Sequence, residues 1–379
     1  MSLPAQLQTG LSKLTPEEQT RFAAEIEGLR ASTVSKLGSQ DARYIRNVVR
    51  AIRWCALGGR SLLMVGAFLP TPWWMGVWAL GAVLLACSKI LDNMELGHNV
   101  IHGQFNWMNE PRFNGKLFEW DIVGTAKNWR WTHNYKHHTY TNVHGADDDI
   151  GYGVLRLFPE QRWSIFQLGQ PLYALIFALF FQWGVAIQAL KIDRLFKGRT
   201  TFAKIWTKFQ PVGKKMSRQL LKDYVLFPLL AGPGFLFVFT GNLLANGIRN
   251  VWTYVVIFCG HFTANAETFN KSVLKNESRA QWYERQIRGS SNLSGGFLLN
   301  VMTGNLSHQI EHHLYPDVPA NRYAEMAPIV KDICLRYGIP YNTGSMRKQF
   351  SQVIWRFLRH SLPSRPAPMA PQLSLQRLK

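Results

Sequence analysis

Acidic residues are scarce in this chain, and paired cysteines are missing. Its 379 residues carry 23 Asp and Glu against 43 Lys and Arg, a formal charge of +20. Such an excess suits two anionic partners, nucleic acid and the lipid headgroup layer. No zinc-finger spacing or RNA-binding aromatic motif accompanies it, so nucleic acid is set aside. Cys55, Cys87, Cys259 and Cys334 stand alone, with no C-x-x-C. A disulfide framework and a thiolate metal site are therefore not expected. G-x-G-x-x-G is also absent, and with it the signature of a dinucleotide-binding turn. Residues 1–50 lack an apolar run behind a basic start, so no signal peptide is read there.

Aromatic residues are plentiful, at 13% with 14 Trp, as suits a lipid–water interface. Apolar runs at 52–69, 73–93, 223–243 and 247–262 approach the roughly 20 residues of a membrane-spanning helix. Residues 70–72, PTP, turn the first run into the second. Arg60 interrupts the first at a cost of about 2.5–3.5 kcal/mol. Either it faces the protein interior or that helix begins along the interface. Arg43, Arg46, Arg50 and Arg53 precede the first run, and the linker 191–222 holds ten Lys and Arg with one Asp. Both belong on the cytoplasmic side. A fifth apolar run, 171–190, then has the same side at both ends and is expected to lie in the interface.

The expectation is an all-α integral membrane protein with four spans in two hairpins and a cytoplasmic helical cap. Residues 1–50 form an N-terminal helical segment, with Thr15 as N-cap and Glu18 closing a capping box. The membrane domain covers 51–345. Residues 346–379 are a tail with a disordered Pro-rich end.

This topology returns three histidine-rich stretches to one side. HNVIH (98–102), HNYKHH (133–138) and HQIEHH (308–313) hold eight of the eleven histidines. Residues four apart share a helix face. His98 with His102, His133 with His137, and His308 with His312 can each present two imidazoles together. His138 and His313, turned by about 100°, can reach a second metal or the far side of the first. About four ligands saturate a zinc ion, so eight histidines suit two metals with open positions. HNVIH is no zinc-protease box, because Asn99 stands where H-E-x-x-H has its base. His261, ending a span, is a ninth candidate ligand. His144 and His360 are read as surface or loop residues. Glu95, Asp147, Asp148, Asp149 and Glu311 could take the second imidazole N–H, although DDD also suits a solvated loop or helix cap.

With these boxes the chain resembles the membrane fatty acid desaturases, whose signature is H-x(3–4)-H, H-x(2–3)-H-H and [HQ]-x-x-H-H. The resemblance covers roughly 40–345, including DNMELGHNVIHGQFNWMNEP, NVHGADDDIGYG and HQIEHHLYPDVPANRYAEMAP. Its nearest likeness is to bacterial acyl-CoA Δ9 desaturases. What it implies is a di-iron enzyme of a bacterial inner membrane, with its site on the cytoplasmic side. Such an enzyme uses O2 and two external electrons to leave a cis double bond in a saturated acyl-CoA or acyl-lipid. Trp129 and Trp131 are then candidate liners of the acyl channel, or interface anchors. Lys127, Arg130 and Lys136 could meet coenzyme A phosphates, or simply anionic lipid. Asn265 could bind iron directly or through water. In HQIEHH, His308 is expected to ligate and Gln309 to hydrogen-bond beside it. No H-P-G-G haem motif occurs, so neither haem nor flavin is expected in the chain. Electrons are expected from a separate NAD(P)H-dependent flavin/iron–sulfur oxidoreductase. Two rivals share the histidines: a di-iron membrane hydroxylase, and a metal transporter, which would need its ligands near the bilayer midplane.

Overall fold

The computed structural model describes residues 11, 14–70 and 72–363, with a two-residue strand at Leu7–Gln8. The expected disordered end lies, from 364 on, outside the described residues. Helix α1 (Pro16–Val34) starts on the capping box, Thr15 accepting from the Glu18 amide while the Glu18 carboxylate accepts from that of Thr15. Its Phe22 and Ile26 are fully buried against Tyr283, Ile287 and Val330. It is thus a layer of the cap.

Helix α2 (Ser39–Gly66) runs unbroken across the expected boundary at 50/51. It pairs with α3 (Trp73–Ile101), whose Leu91–His98 stretch is π-helical. Small residues set their crossing: a Cβ on Gly59 would lie 2.7 Å from the Leu85 nitrogen and 2.9 Å from the Gly81 carbonyl. Backbones approach this closely only where side chains are absent.

The second hairpin differs from expectation. The spans read at 223–243 and 247–262 are not two helices. Residues Phe235–His261 form one helix, preceded by Phe202–Leu220, a π-helical Leu221–Leu226 and Phe227–Leu230. The turn sits at Gly232–Gly234, where Gly232 has φ of +53°. The connection expected at 244–246 is helical, and Asn242, Asn246, Arg249 and Asn250 are all buried on this one helix. Their polarity serves partners inside the bundle rather than water.

Both hairpin turns meet at one end. A Cβ on Gly234 would lie 2.5 Å from that of Ala67, and one on Gly66 would lie 3.0 Å from Phe237. The histidines gather at the other end. Arg60 faces inward, its guanidinium 3.6 Å from Asp223 and stacked on Phe227. Interior neutralisation decides between its two readings.

Residues Gln170–Leu179 and Phe181–Ala189 are bent apart by 98°. Among the described residues, Trp73–Ile101 alone is a helix long and apolar enough to cross a membrane, and this bent pair would add a second. Buried Asn242, Asn246, Arg249 and Asn250 lower the hydropathy of Phe235–His261, and Arg50, Arg53 and Arg60 add charge to Ser39–Gly66.

The cap is built from α1, Arg279–Arg288, Gln309–Leu314 and Tyr323–Arg336. Residues 346 onward are not simply a tail. Met346–Ser361 is a helix that buries Val353 and Phe357 against Tyr254 and Phe258. Strands are minimal: Leu7–Gln8 pairs in parallel with Thr268–Phe269, and Asn292–Ser294 with Thr343–Ser345.

If the close α2–α3 contact carries the first hairpin, Gly59→Val will overpack it. We expect a loss of about 1–3 kcal/mol, read as a lowered unfolding temperature in detergent. Gly76→Ala, with nothing within 4 Å of its Cβ, should leave that temperature unchanged.

Candidate metal centre

Each box is placed by a helix end. His98 closes the π-helical stretch of α3, and His102 comes after its last turn. HNYKHH follows Ala126–Trp129 and lies on a π-helical Arg130–His137 and on His138–Tyr140. His312 and His313 ride on Gln309–Leu314, and His261 is the last residue of Phe235–His261. Two of the three boxes thus sit on π-helical turns, whose i→i+5 bonds rotate the next residues of the chain relative to an ordinary helix. Spacing arguments built on 3.6 residues per turn had no access to this.

The imidazoles converge in two sets. His98, His102, His133 and His312 bring one nitrogen each within 4.8 Å of one another, and His137, His261 and His313 do the same. His138 lies between the sets. It stacks on His313 with ring centroids 4.4 Å apart and meets the rings of His102 and His312 at 4.7 and 4.8 Å. Eight of the nine expected ligands are therefore together.

The outer nitrogens have partners. His137 Nδ1 donates to Asp147 Oδ2 at 3.0 Å, and His313 Nδ1 to Gln286 Oε1 at 3.0 Å. His98 Nδ1 lies 3.0 Å from Asn99 Oδ1, and His261 Nδ1 lies 3.2 Å from the Gly289 carbonyl. His133 Nδ1 is 3.5 Å from Asp149, and His312 Nδ1 is 3.5 Å from the Tyr323 hydroxyl. Such bonds fix ring and tautomer and aim Nε2 inward. Inward, partners run out. The Nε2 atoms of His102, His133, His138 and His312 are buried without a hydrogen bond. Those of His137 and His313 face His261 Nε2 at 3.3 and 3.2 Å. Lone pairs this crowded and this dry need a cation between them.

Burial, reinforced by neighbouring imidazoles, holds His133, His138, His312 and His313 well below the usual imidazole range. They are neutral, the form that binds metal. His137 is the exception: burial lowers it, but the Asp147 carboxylate beside it leaves a net rise. Burial raises Asp149 to about 7 against the pull of His137.

Several expectations are corrected. His308 joins neither set. It precedes its helix with φ −108° and ψ 57°, so it shares no helix face with His312, and its Nδ1 sits 4.0 Å from Glu311. Gln309 points in instead, its amide 2.9 Å from His261 Nε2. Glu311 serves the scaffold, accepting from Asn292 and Tyr341 at 2.8 and 2.9 Å; burial pushes it up to about 7. Glu95, buried, accepts from Tyr44 and Asn305 and no imidazole. Asp148 pairs with Lys136 and Lys191. Asn265 is exposed, because the helix ends at His261 and the phase is lost. Trp129 stacks on His133 at 4.3 Å, whereas Trp131 is 59% exposed against Tyr135. Arg130 donates to the Gly115 carbonyl and Lys127 is exposed. His144 and His360 stand apart from both sets, though His360 is buried.

Residues missed by the sequence reading include Asn99, Thr141, Gln286 and Tyr323. Thr141 donates to Gln286 at 2.7 Å, which keeps that amide oxygen turned to His313. Only Asn99, inside its box, carried a local signal. Beside the histidines lies a cavity of about 100 Å3, walled in part by Met94, Trp120, Trp129, Tyr152, Phe181 and Leu306.

A family model described as fatty acid desaturase matches residues 32–345. The chain belongs to the fatty acid desaturase family. It is 44% identical to the NADPH-dependent stearoyl-CoA 9-desaturase of Mycobacterium tuberculosis over 93% of this chain and 82% of that protein. The sn-1 linoleoyl-lipid 6-desaturase of Synechocystis is 29% identical over 69% of this chain and 74% of its own. An acyl-lipid (7-3)-desaturase of Diacronema lutheri is 28% identical over 73% and 66%. This desaturase is therefore an oxidoreductase of lipid metabolism, with histidine sets that could bind metal.

Iron counted per purified chain separates the two readings of the third box. His308→Ala should keep nearly all of the iron bound by the wild type. His312→Ala should lose about half or more, since an Nε2 in the shared interior is removed. Equal losses in both variants would return His308 to the ligand set.

Proposed function

We propose that this desaturase introduces a cis double bond at the Δ9 position of a saturated acyl-CoA. The observation that carries the reading is the double set of inward imidazoles beside a mainly apolar cavity. The 44% likeness to a protein named for stearoyl-CoA supports the substrate. Two iron ions fit the donors. All eight are neutral or readily neutral nitrogens, too many for one zinc, and zinc offers no redox chemistry. His98, His102, His133 and His312 would hold one ion, His137, His261 and His313 the other, with His138 between. Gln309 stands close enough to complete the second set.

Bound iron supplies the O2-dependent oxidation of an unactivated methylene pair, which no acid or base could begin. The protein does the rest. Asp147, Gln286, Asn99 and Gly289 lock the imidazoles, so the site is set before substrate arrives. Trp129, stacked on His133, Met94 and Leu306 give an acyl chain a dry wall against the histidines. That wall selects which carbon pair is presented and excludes bulk water.

The membrane arrangement that supports this is two hairpins with touching turns at one end and histidines at the other. Its outer faces expose Trp54, Leu57, Val65, Leu229, Leu236 and Leu243, as lipid contact requires. That pattern and the basic linkers support four spans in a bacterial inner membrane, with the site on the cytoplasmic side. Two electrons come from a separate NAD(P)H-dependent flavin/iron–sulfur oxidoreductase.

Gas chromatography–mass spectrometry of a desaturase-deficient bacterial host expressing the chain tests this. Oleate and palmitoleate should appear, and purified chain with its electron donor should convert stearoyl-CoA but not stearoyl-phospholipid. A hydroxylated acid instead of an alkene would assign it to the hydroxylases.

A further inference from the structure

Inside the bundle, polar residues form a seam that the fold alone does not call for. Lys89 and Asn93 lie four apart on α3, below His98. Arg249 and Thr253 lie four apart on Phe235–His261, below His261. Each pair therefore shares a face that leads to a histidine. The seams join where Asn93 Nδ2 donates to Thr253 Oγ1 at 3.2 Å. Asn93, Thr253 and Arg249 are 7%, 6% and 2% exposed. Polar groups so placed are costly, and that cost marks a function more often than an accident.

The lower end is ionic. Lys89 Nζ lies 2.7 Å from Asp223, which is fully buried and also accepts from Asn246 at 3.2 Å. Arg249 donates to Asn246 Oδ1 at 3.3 Å, while its Nε has no partner among the described residues. Two cavities meet here, sharing Arg249 and Ile122. One holds the histidines. The other, about 180 Å3, is lined by Arg60, Ser88, Lys89, Asp92 and Asp121. At about 10–15 Å3 for each water it has room for several. Asp121 is exposed and pairs with Lys222 at the surface, so the second cavity leads outward.

We propose that this seam is the route by which protons reach the histidine cavity and product water leaves it. The proposal rests on the desaturase reading above. Removing one hydrogen from each of two neighbouring methylenes, with O2, two electrons from the external donor and two protons, gives an alkene and two waters. An acyl chain lies against the apolar wall, so protons and water are left the polar side of the same cavity, which Asn93, Arg249 and Thr253 line. The Thr253 hydroxyl both donates and accepts, Asn93 fixes its orientation, and the unpartnered Arg249 Nε anchors the water between the cavities. Arg249 and Asn93 are positioning residues; neither carries the proton.

The test is a single turnover in the full chain, needing no partner protein. Purified iron-loaded enzyme with stearoyl-CoA is reduced with dithionite, freed of excess, and exposed to O2 in H2O and in D2O. In Thr253→Val, alkene formation should slow by about tenfold, short of the 10²–10⁴ of a lost proton-transfer group because water can stand in. Peroxide should rise as alkene falls, and the solvent isotope effect should grow. Thr253→Ser should behave as wild type. Asn93→Leu, which cuts the seam from the other helix, should repeat the Val result independently. Wild-type alkene, peroxide and isotope effect in both Thr253→Val and Asn93→Leu would overturn the seam and leave the desaturase reading intact. No alkene from the wild type would instead remove the reading on which the seam rests.

Discussion

Eight imidazoles that converge on one buried interior, in two sets with His138 between them, impose the constraint that organises this molecule. Nitrogen lone pairs such as those of His137, His261 and His313, 3.2–3.3 Å apart, cannot satisfy one another. A cation would make the arrangement favourable, and its binding free energy would then add to the folding free energy of this region. The surrounding carboxylate, amides and carbonyl hold the rings of His98, His137, His261 and His313 by their outer nitrogens.

The two hairpins set those rings at a common level. Their turns touch through Ala67 and Gly234, and the Gly59–Gly81 crossing brings α2 and α3 close enough to fix the rise of α3 toward His98. Asp223 ties three helices by taking Lys89 and Arg60 on one side and Asn246 on the other. Burying such ions costs several kcal/mol each unless pairing is good. Their retention beside the substrate cavity is what sets the seam apart from ordinary packing. The cap closes the open end, with Asn292 linking strand and box: it donates to Glu311 and accepts from the Ile310 amide at 2.9 Å.

Much of this was legible in the residues, and the failures have physical causes. The histidine spacing marked seven of the eight clustered histidines, and the end of an apolar run marked His261. His308 falls outside both sets because the helix begins one residue later, at Gln309, than its spacing with His312 assumed. Asn265 failed for the mirror reason at the end of Phe235–His261. The connection expected between 243 and 247 is instead the middle of a helix, whose Asn242, Asn246, Arg249 and Asn250 are buried. The real punctuation was Gly232-Pro233-Gly234, inside what read as a span. Gln286 and Tyr323 left no trace, since a hydrogen bond to a residue distant in the chain or across a turn writes no local pattern. The π-helical turns at Leu91–His98 and Arg130–His137 were equally silent.

Metal stoichiometry tests the central claim most directly. The full chain, purified in mild detergent from iron-supplemented cells and analysed by inductively coupled plasma mass spectrometry, should carry two iron atoms per chain. Zinc and manganese should be well below one. A single metal per chain, or two zincs in an enzyme that desaturates, would contradict the assignment of the two histidine sets to a pair of irons.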